Sequence, residues 1–253
     1  MNKSIITDLL RVNPRARMLR EYANAFSKYK GSPFPLIQIY LRRANITHIF
    51  DVGANIGQFG IDVIRTGYKG QIISYEPALE AFKKLNRLTQ KHDQWTAIQM
   101  GLGAFSGNAM INISGNAGLS SSILEIGQSH LENFPTSKTI SQEKVALSTV
   151  DHQIESQNLD PSKVMLKIDV QGYENQVLTG SMKFLPTIPM CYLEVSLSPM
   201  YTGEADLPTI INMIASAGHT VVDIHRGVTG KDGTLLQIDI LTVSEDLRRK
   251  NIS

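Results

Sequence analysis

The sequence predicts an α/β domain built on a seven-stranded, mostly parallel sheet with an antiparallel last strand, and three observations lead to this. Short apolar runs alternate with segments of helical periodicity from residue 46 onward, as in doubly wound sheets. The first run, 47–51, passes into a glycine-rich turn that opens a helix. The last two runs are joined by a segment containing Gly227, Gly230 and Gly233, and such a hairpin makes the last two strands antiparallel neighbours.

The individual elements follow from the apolar runs and from the residues that interrupt them. The predicted strands are 47–51, 71–75, 95–100, 164–170, 190–195, 219–225 and 235–243, and the predicted helices are 57–66, 78–91, 173–185 and 206–217. Gly67 and Gly70 break the chain before the second strand. Pro77 opens the second helix, Pro186 ends the third, and Gly218 follows the fourth.

The segment 103–150 interrupts this alternation and is longer than a typical connection. It contains two strand-like pieces, Ala109–Ser114 and Lys144–Val150, with the polar stretch Gly115–Ser122 and a helical piece around Ser129–Phe134 between them. Long excursions at the ligand edge of such sheets act as lids or substrate loops. We therefore expect this excursion to contact a substrate; a purely structural hairpin is the alternative.

The composition is that of a globular protein. The chain has 253 residues, of which 42% are hydrophobic and 19% charged, and this length can bury a large core. It holds no apolar run of about 18 residues, so we predict no transmembrane helix. Cys191 is the only cysteine, which excludes an internal disulfide and a cysteine-based zinc cluster. These features favour a cytoplasmic protein.

Positive charge is concentrated in residues 1–45, which we predict to form a basic, helical N-terminal extension ahead of a domain at 46–253. The extension carries nine basic residues and two acidic ones. Such an arm can bind an acidic partner or lie peripherally on an anionic membrane surface. A solvated helical extension packed beside the domain is the alternative. The net charge of the whole chain, +2, is too small to indicate a nucleic-acid partner.

The most informative segment lies at the end of the first predicted strand. Asp51 is followed by Gly53 and Gly57, and glycine lets the backbone turn sharply and a ligand approach closely. Glu76 comes about 23 residues after Gly53, a spacing that lets a carboxylate hydrogen-bond a cofactor ribose. A dinucleotide site needs a glycine where this chain has Asn55; the pattern resembles instead the acidic-x-Gly-x-x-x-Gly loop of class I methyltransferases, which implies a nucleoside without phosphate. An ordinary tight turn, a helix N-cap at Asp51 and NAD binding are the alternatives.

A second unusual run, Lys167–Glu174, follows from the fourth predicted strand. Central parallel strands are usually apolar, yet Lys167 and Asp169 share one face of this strand, and buried charges are costly unless paired or put to use. Asp169 falls at the carboxyl end of the strand, beside the crevice where such sheets bind ligands. Glu174 lies in the first turn of the next helix, and Glu194 ends the fifth strand. We expect these three carboxylates to converge above the sheet.

Together, the motifs resemble those of the FkbM family of S-adenosylmethionine-dependent O-methyltransferases, over roughly residues 46–245. The matching motifs are Asp51–Gly57, Glu76–Pro77, Ser120–Ser122, Leu147–Asp151 and Lys167–Glu174. The resemblance implies a Rossmann-like class I methyltransferase fold with S-adenosylmethionine as cofactor. It also implies a small-molecule or glycolipid acceptor: a hydroxyl of a sugar, especially a deoxysugar of a glycolipid or lipo-oligosaccharide, or of a related natural product.

The resemblance further implies roles for the residues at the cofactor end. Asp51 corresponds to the loop acid near the methionyl amino group, and Glu76 to the acid that binds ribose. In place of the family's Asn-x-Ala-Leu-Gly-like segment this chain has Gln99–Gly103, so the resemblance does not assign the adenine contacts. The predicted cofactor-binding residues are Asp51, Gly53, Asn55, Gly57, Glu76 and Leu102.

Asp169 is the first candidate for the catalytic base, with Glu194 and Glu174 as further catalytic candidates. An alcohol is a poor nucleophile at neutral pH, so a base near the acceptor helps to remove its proton. A second hypothesis is that Asp169, with Glu174 or Glu194, holds Mg²⁺, which prefers oxygen ligands. The third is that Asp169 caps the next helix or pairs with Lys167.

Two other functions compete with methylation of a sugar. Methylation of the 2′-hydroxyl of RNA would need a basic groove, whereas the chain after residue 45 carries 16 basic and 21 acidic residues. A non-catalytic module that only binds S-adenosylmethionine would be expected to have degraded cofactor motifs. The motifs quoted above are intact.

Overall fold

The computed structural model describes residues 34–249, in which ten strands and eight α-helices follow one another. The strands are β1 His48–Val52, β2 Gln71–Tyr75, β3 Trp95–Ile98, β4 Gly101–Leu102, β5 Gly107–Ser114, β6 Thr139–Ser148, β7 Val164–Ile168, β8 Met190–Ser196, β9 His219–Arg226 and β10 Gln237–Ser244. The helices are α1 Phe34–Arg43, α2 Gln58–Arg65, α3 Leu79–Thr89, α4 Gln128–Asn133, α5 Val150–Ser156, α6 Glu174–Thr179, α7 Leu207–Ser216 and α8 Glu245–Arg249.

Seven of the strands form one sheet in the order β3-β2-β1-β7-β8-β10-β9. Neighbours pair in parallel except at β10, which is antiparallel to both β8 and β9. The predicted fold class is confirmed, and so is the hairpin between the last two strands. Because β1 and β7 are adjacent, the two sequence motifs that follow these strands meet at the same edge of the sheet.

The main differences from the predicted elements lie beyond β7. This strand ends at Ile168, and not at residue 170, because Gln171 and Gly172 have φ angles of 56° and 93° and turn the chain away from the extended direction. The helix predicted at 173–185 is shorter, Glu174–Thr179, since Gly180 ends it and the chain continues as turns. The third strand likewise stops early, at Ile98.

Two apolar layers cover the two faces of the seven-stranded sheet. Phe50, Leu166 and Leu193 belong to the first layer, which is closed by α5, α6 and α7. Ile49 and Met165 belong to the second, which is closed by α1, α2 and α3. Neighbouring residues of one strand thus point to opposite layers, and burial on both faces explains why these strands read as continuous apolar runs.

The excursion at 103–150 carries a second sheet of three strands in the order β4-β6-β5. β5 and β6 pair antiparallel, as a hairpin would, although β6 begins at Thr139 and not at Lys144. A hydrophobic cluster of Ala78, Ile111 and Val145 joins this hairpin to the residues that precede α3. The excursion is therefore anchored next to the turn that follows β2.

Part of the predicted N-terminal extension packs on the domain. Helix α1 buries Ile37, Tyr40 and Leu41 in the second apolar layer. Residues 1–33, which hold most of the predicted basic arm, lie outside the described residues. Within 34–249, no helix combines the length and the apolar character needed to cross a membrane.

Candidate active site

A cavity of about 370 Å³ opens at the carboxyl ends of β1, β2, β7 and β8. Its walls come from the turns after these strands, from the excursion and from β10. This edge is where α/β sheets bind ligands. Predicted site residues that line the cavity are Gly53, Asn55, Glu76, Leu102, Asp169 and Glu194, whereas those outside its lining are Asp51, Gly57 and Glu174.

The turn after β1 packs against the turn after β7 through its backbone. Gly53 has a φ angle of 74°, and a Cβ atom at this position would lie 1.8 Å from the carbonyl oxygen of Asp169. Only glycine leaves room for that contact. The contact brings the two sequence motifs together in one wall of the cavity.

Glu76 and Asn55 form the wall at the end of β2. The Glu76 carboxylate accepts hydrogen bonds from the backbone N–H groups of Asn55 and Ala78, each 2.8 Å long. Burial raises the pKa of Glu76 to about 7, against the opposing effect of the two backbone bonds. The side-chain oxygen of Asn55 is buried and has no hydrogen-bond partner within residues 34–249. The wall thus offers acceptors to hydroxyl and amino groups, which fits a nucleoside cofactor.

Gly57 and Leu102 contribute in different ways. Gly57 has a φ angle of 97°, and a Cβ atom there would come within 3.0 Å of the side chains of Trp95 and Leu85. Its role is therefore to shape the turn and pack against the core. Leu102 is 1% exposed and lines the cavity, where an apolar surface suits a purine ring.

The Asp51 carboxylate is fully buried and faces Lys167. Lys167 Nζ lies 3.1 Å from Asp51 Oδ1 and donates to the carbonyl oxygen of Gly53 at 2.9 Å. On its other side, Asp51 accepts from Ser74 Oγ at 2.8 Å, and Ser74 accepts from Trp95 Nε1 at 2.9 Å. In place of the predicted direct contact with a cofactor, we propose an indirect role for Asp51: it holds Lys167, which lines the cavity.

This buried polar row follows from the register of the strands. Ser74, Asp51 and Lys167 are neighbours across β2, β1 and β7. Burial alone would lower the pKa of Lys167, but the carboxylates of Asp51 and Asp169 outweigh it and raise that pKa above its ordinary value. Lys167 is thus a buried, paired cation, and removing one partner of such a pair is strongly destabilising.

Asp169 presents its carboxylate to the cavity directly after β7. The side chain is 37% exposed; Oδ2 lies 3.6 Å from Lys167 Nζ, and Oδ1 accepts from Gln171 Nε2 at 2.8 Å. The helix-cap alternative is wrong, because α6 is preceded by Tyr173 and has no side-chain cap. The pairing with Lys167 exists, but Lys167 lies closer to Asp51. Asp169 therefore keeps a face available to a ligand.

Glu174 lies behind this turn and not in the cavity. Its Oε1 atom accepts hydrogen bonds from the backbone N–H groups of Val170 at 3.0 Å and Gly172 at 3.2 Å. Burial raises the pKa of Glu174 to about 7. The carboxyl group stabilises the turn that carries Asp169, so the structure brings Asp169 and Glu194 together in the cavity and leaves Glu174 as a support.

Glu194 lies on β8 opposite Asp239 of β10, and both line the cavity. Glu194 Oε1 accepts from Gln171 Nε2 at 3.0 Å and from Gln237 Nε2 at 2.8 Å. Burial, and after it the nearby carboxylate of Asp169, raises the pKa of Glu194 well above its ordinary value. A cavity carboxyl group with such a pKa is suited to exchanging protons or hydrogen bonds with a ligand.

Sequence reasoning missed Gln171, Gln237 and Asp239 as site residues. Gln171 lies inside the motif Lys167–Glu174, directly before Gly172, and this position is the feature of the sequence that could have identified it. Gln237 and Asp239 had no local signal, because only the register of β10 brings them beside Glu194. In the part of the chain that the structure describes, no three histidine, cysteine or carboxylate side chains are placed to share a metal ion. The Mg²⁺ hypothesis names a pair of carboxylates, of which Asp169 and Glu194 line the cavity and Glu174 does not.

The excursion supplies a further wall of the cavity. Its lining residues are Ile111, Gly118, Leu119, Ser121, Ser122 and Ile123. Leu119 is 52% exposed, so the wall reaches the surface. Ser122 Oγ donates to the carbonyl oxygen of Gln171 at 2.7 Å, which ties the excursion to the turn that carries Asp169.

Comparison with known sequences points to one family. A sequence model described as the methyltransferase FkbM domain matches residues 51–221. The 2-O-methyltransferase NoeI of Sinorhizobium fredii (strain NBRC 101917 / NGR234) is 23% identical over 223 residues, which cover 84% of this chain and 89% of NoeI.

Solved structures of methyltransferases align with the chain over most of its length. A methyltransferase FkbM from Methylobacillus flagellatus KT aligns with a TM-score of 0.49 and 12% identity over 89% of this chain and 59% of its own; this chain thus spans about three fifths of that protein's length. The magnesium protoporphyrin IX methyltransferase of Synechocystis PCC 6803, solved with bound S-adenosylmethionine, aligns with a TM-score of 0.43 and 9% identity over 96% and 97%. Because the FkbM sequence model covers more than half of the chain, the chain belongs to the FkbM family and is an S-adenosylmethionine-dependent methyltransferase.

Proposed function

We propose that this enzyme methylates a hydroxyl group of a sugar, with a deoxysugar of a glycolipid or lipo-oligosaccharide as the preferred acceptor. The observation that carries the proposal is the position of Asp169. It is a partly exposed carboxylate at the end of β7, in the cavity that Glu76 and Asn55 also line. The 2-O-methyltransferase activity in the name of NoeI is consistent with a hydroxyl acceptor.

The cofactor end of the cavity is formed by Glu76, Asn55 and Leu102. Glu76 is suited to accept hydrogen bonds from ribose hydroxyls, the oxygen of Asn55 to accept from an amino group, and Leu102 to contact the purine. When bound, S-adenosylmethionine supplies a methyl group already activated by its sulfonium. The protein then needs mainly to align the acceptor and to remove its proton.

Asp169 is our candidate for removing that proton. Gln171 and Lys167 orient its carboxylate from two sides. An acceptor hydroxyl that donates to Asp169 becomes a better nucleophile as its proton is withdrawn. Lys167 also separates Asp169 from the buried charge of Asp51.

RNA is the disfavoured acceptor. Four acidic side chains besides Glu76 line the cavity, Asp62, Asp169, Glu194 and Asp239. The one basic side chain among the lining residues that the structure describes is Lys167, which is paired with Asp51. A phosphodiester backbone is bound through unpaired basic groups, so this cavity suits an uncharged acceptor better.

We also propose that residues 1–45 hold the enzyme peripherally at an anionic membrane surface, where a glycolipid acceptor would lie. The support is that this segment carries nine basic residues and only two acidic ones. Sedimentation with vesicles of anionic and of neutral lipids measures this directly. Equal binding to both kinds of vesicle, or to neither, would reject it.

The acceptor is identified by incubating the protein with isotopically labelled S-adenosylmethionine and a cell lipid extract. Mass spectrometry then shows which species gains a labelled methyl group, and we expect a sugar-bearing lipid. The Asp169→Asn variant serves as the matched control, since it keeps the shape of the side chain. Labelled RNA, or a label on a nitrogen or carbon atom, would contradict the proposal.

A further inference from the structure

One side-chain amide bridges the two carboxylates at the acceptor end of the cavity. Gln171 Nε2 donates to Asp169 Oδ1 at 2.8 Å and to Glu194 Oε1 at 3.0 Å. An amide nitrogen carries two hydrogens, so these bonds use both of them. Because the bonds share one nitrogen, the two carboxylate oxygens lie within about 6 Å of each other.

Gln171 is itself held in an unusual conformation. Its φ angle of 56° lies in the left-handed region, which costs energy for a residue other than glycine and persists only where the surroundings impose it. Tyr201 donates its hydroxyl to Gln171 Oε1 at 2.8 Å, and Ser122 donates to the Gln171 carbonyl oxygen at 2.7 Å. Tyr201 therefore orients the side-chain amide toward the two carboxylates, while Ser122 holds the backbone that carries it.

Both carboxylates keep an oxygen that can serve a ligand. Asp169 is 37% exposed and lines the cavity. The two amides of Gln171 and Gln237 both bind Oε1 of Glu194, which leaves Oε2 without a hydrogen bond from residues 34–249. Two tyrosines, Tyr192 and Tyr201, lie near Glu194, and the lysine and carboxyl groups around it are Lys167, Asp169, Glu174 and Asp239. Three of the four are acidic, so an anionic group on the acceptor is disfavoured here.

We propose that Asp169 and Glu194, spaced by Gln171, form a subsite for two hydroxyl groups on adjacent carbons of the acceptor. Asp169 binds the hydroxyl that is methylated, and Glu194 binds its neighbour; Gln171 is the positioning residue that sets their separation. The acceptor is therefore a vicinal diol, as in a sugar ring, and not an isolated, primary or phenolic hydroxyl. This inference rests on the proposed function and narrows its substrate class.

Methyl transfer to this diol needs one proton acceptor, Asp169, and one leaving group, the sulfur of S-adenosylmethionine. The acceptor oxygen transfers its proton to Asp169 and forms a bond to the methyl carbon. The carbon–sulfur bond breaks, and its electron pair remains on sulfur in the product S-adenosylhomocysteine. The neighbouring hydroxyl keeps its proton and its hydrogen bond to Glu194, so it aligns the acceptor without reacting.

The first test locates the new methyl group in the product made by the wild-type protein from the lipid extract. Fragmentation in the mass spectrometer should place the labelled methyl group on an oxygen whose carbon is adjacent to a carbon that bears a free hydroxyl. A label on an isolated or primary hydroxyl would overturn the inference and leave the proposed function intact. Absence of any labelled sugar would overturn the proposed function, and this inference would fall with it.

Two further variants test the residues. Glu194→Ala should raise the KM for the acceptor about tenfold, because one hydrogen bond is lost. Its affinity for S-adenosylmethionine should stay at the wild-type value. A KM for the acceptor equal to that of the wild type would overturn the role of Glu194. Gln171→Glu lacks the two donors, so its kcat should fall and recover partly as the pH is lowered and the new carboxyl group gains a proton. The exposed Gln90→Glu is the matched control, and a Gln171→Glu variant with the wild-type pH profile would refute the positioning role.

Discussion

Replacing Glu76 by glutamine tests the cofactor end of the cavity and its dependence on pH. Glutamine keeps the size of the side chain and one oxygen that can accept, but it loses the charge. A hydrogen bond to a charged group contributes about 1.5–3 kcal/mol. If ribose hydroxyls donate to Glu76, Glu76→Gln should weaken binding of S-adenosylmethionine by roughly tenfold to a hundredfold at pH 8.

The pH dependence of this effect has a definite sign. Burial raises the pKa of Glu76 to about 7, so the free protein carries the carboxylate at pH 8 and mostly the neutral acid at pH 6. Hydroxyl donors of the ribose favour the ionised form of Glu76. The affinity of the wild-type protein for S-adenosylmethionine should therefore fall by about tenfold per pH unit below 7. The Glu76→Gln variant has no group to titrate there. Its affinity should change little, so the difference in affinity between the two proteins should be about tenfold smaller at pH 6 than at pH 8.

Isothermal titration calorimetry at pH 6, 7 and 8 measures the affinity of the wild type and of Glu76→Gln for S-adenosylmethionine. Glu80→Gln is the matched control, because Glu80 is exposed near the start of α3, where it pairs with Lys83. Wild-type affinity that is equal at pH 6 and pH 8 would refute the role of a titrating Glu76. Equal affinities of the wild type and Glu76→Gln at pH 8 would refute the ribose contact itself.

Three further predictions concern the rest of the site. Asp169→Asn should lower kcat by about a hundredfold to ten-thousandfold, the usual effect of losing a general base. The thermal unfolding midpoint should change little, because Asp51 remains as the closer partner of Lys167; normal turnover would disprove the role of Asp169 as the base. Replacing Gly115–Ser122 by a short glycine linker should abolish turnover and leave cofactor affinity within a few-fold, and loss of both would show that the excursion is structural. Glu174 has a folded-state pKa of about 7, above the ordinary 4.5, so the folded protein binds more protons than the unfolded chain between these values. Stability should therefore rise as the pH falls from 7 to 5, by up to about 1.4 kcal/mol per pH unit from this group, and urea titrations of Glu174→Gln should show a smaller rise.

Much of the architecture was predictable because it depends on local patterns. The run 47–51 and the spacing to Glu76 predicted a strand, a glycine turn and a second strand, and the structure has β1, α2 and β2 at these places. The errors lie where a backbone turn overrides an apolar run. Val170 continues the apolar pattern of β7, but the left-handed conformations of Gln171 and Gly172 end the strand before it.

Roles of individual carboxylates were harder to predict, because burial and partners decide them. Asp51 and Glu174 follow the motif pattern closely, yet both are buried and face the protein's own cation or backbone. Asp169 has the same chemistry but is exposed to the cavity, since the turn after β7 directs it outward. A linear pattern does not contain this difference in direction.

The fold class and the family were predictable from the sequence, because each is encoded in motifs of residues that are close together in the chain; at the cofactor end the motifs also led to Gly53, Asn55, Glu76 and Leu102, which line the cavity. The tertiary structure alone decided the acceptor end. Gln171, Glu194 and Gln237 come from different elements and meet only through the pairing of β7, β8 and β10. The register of β10 depends on which strands it joins in the folded sheet, and that pairing is a long-range property which no local pattern records.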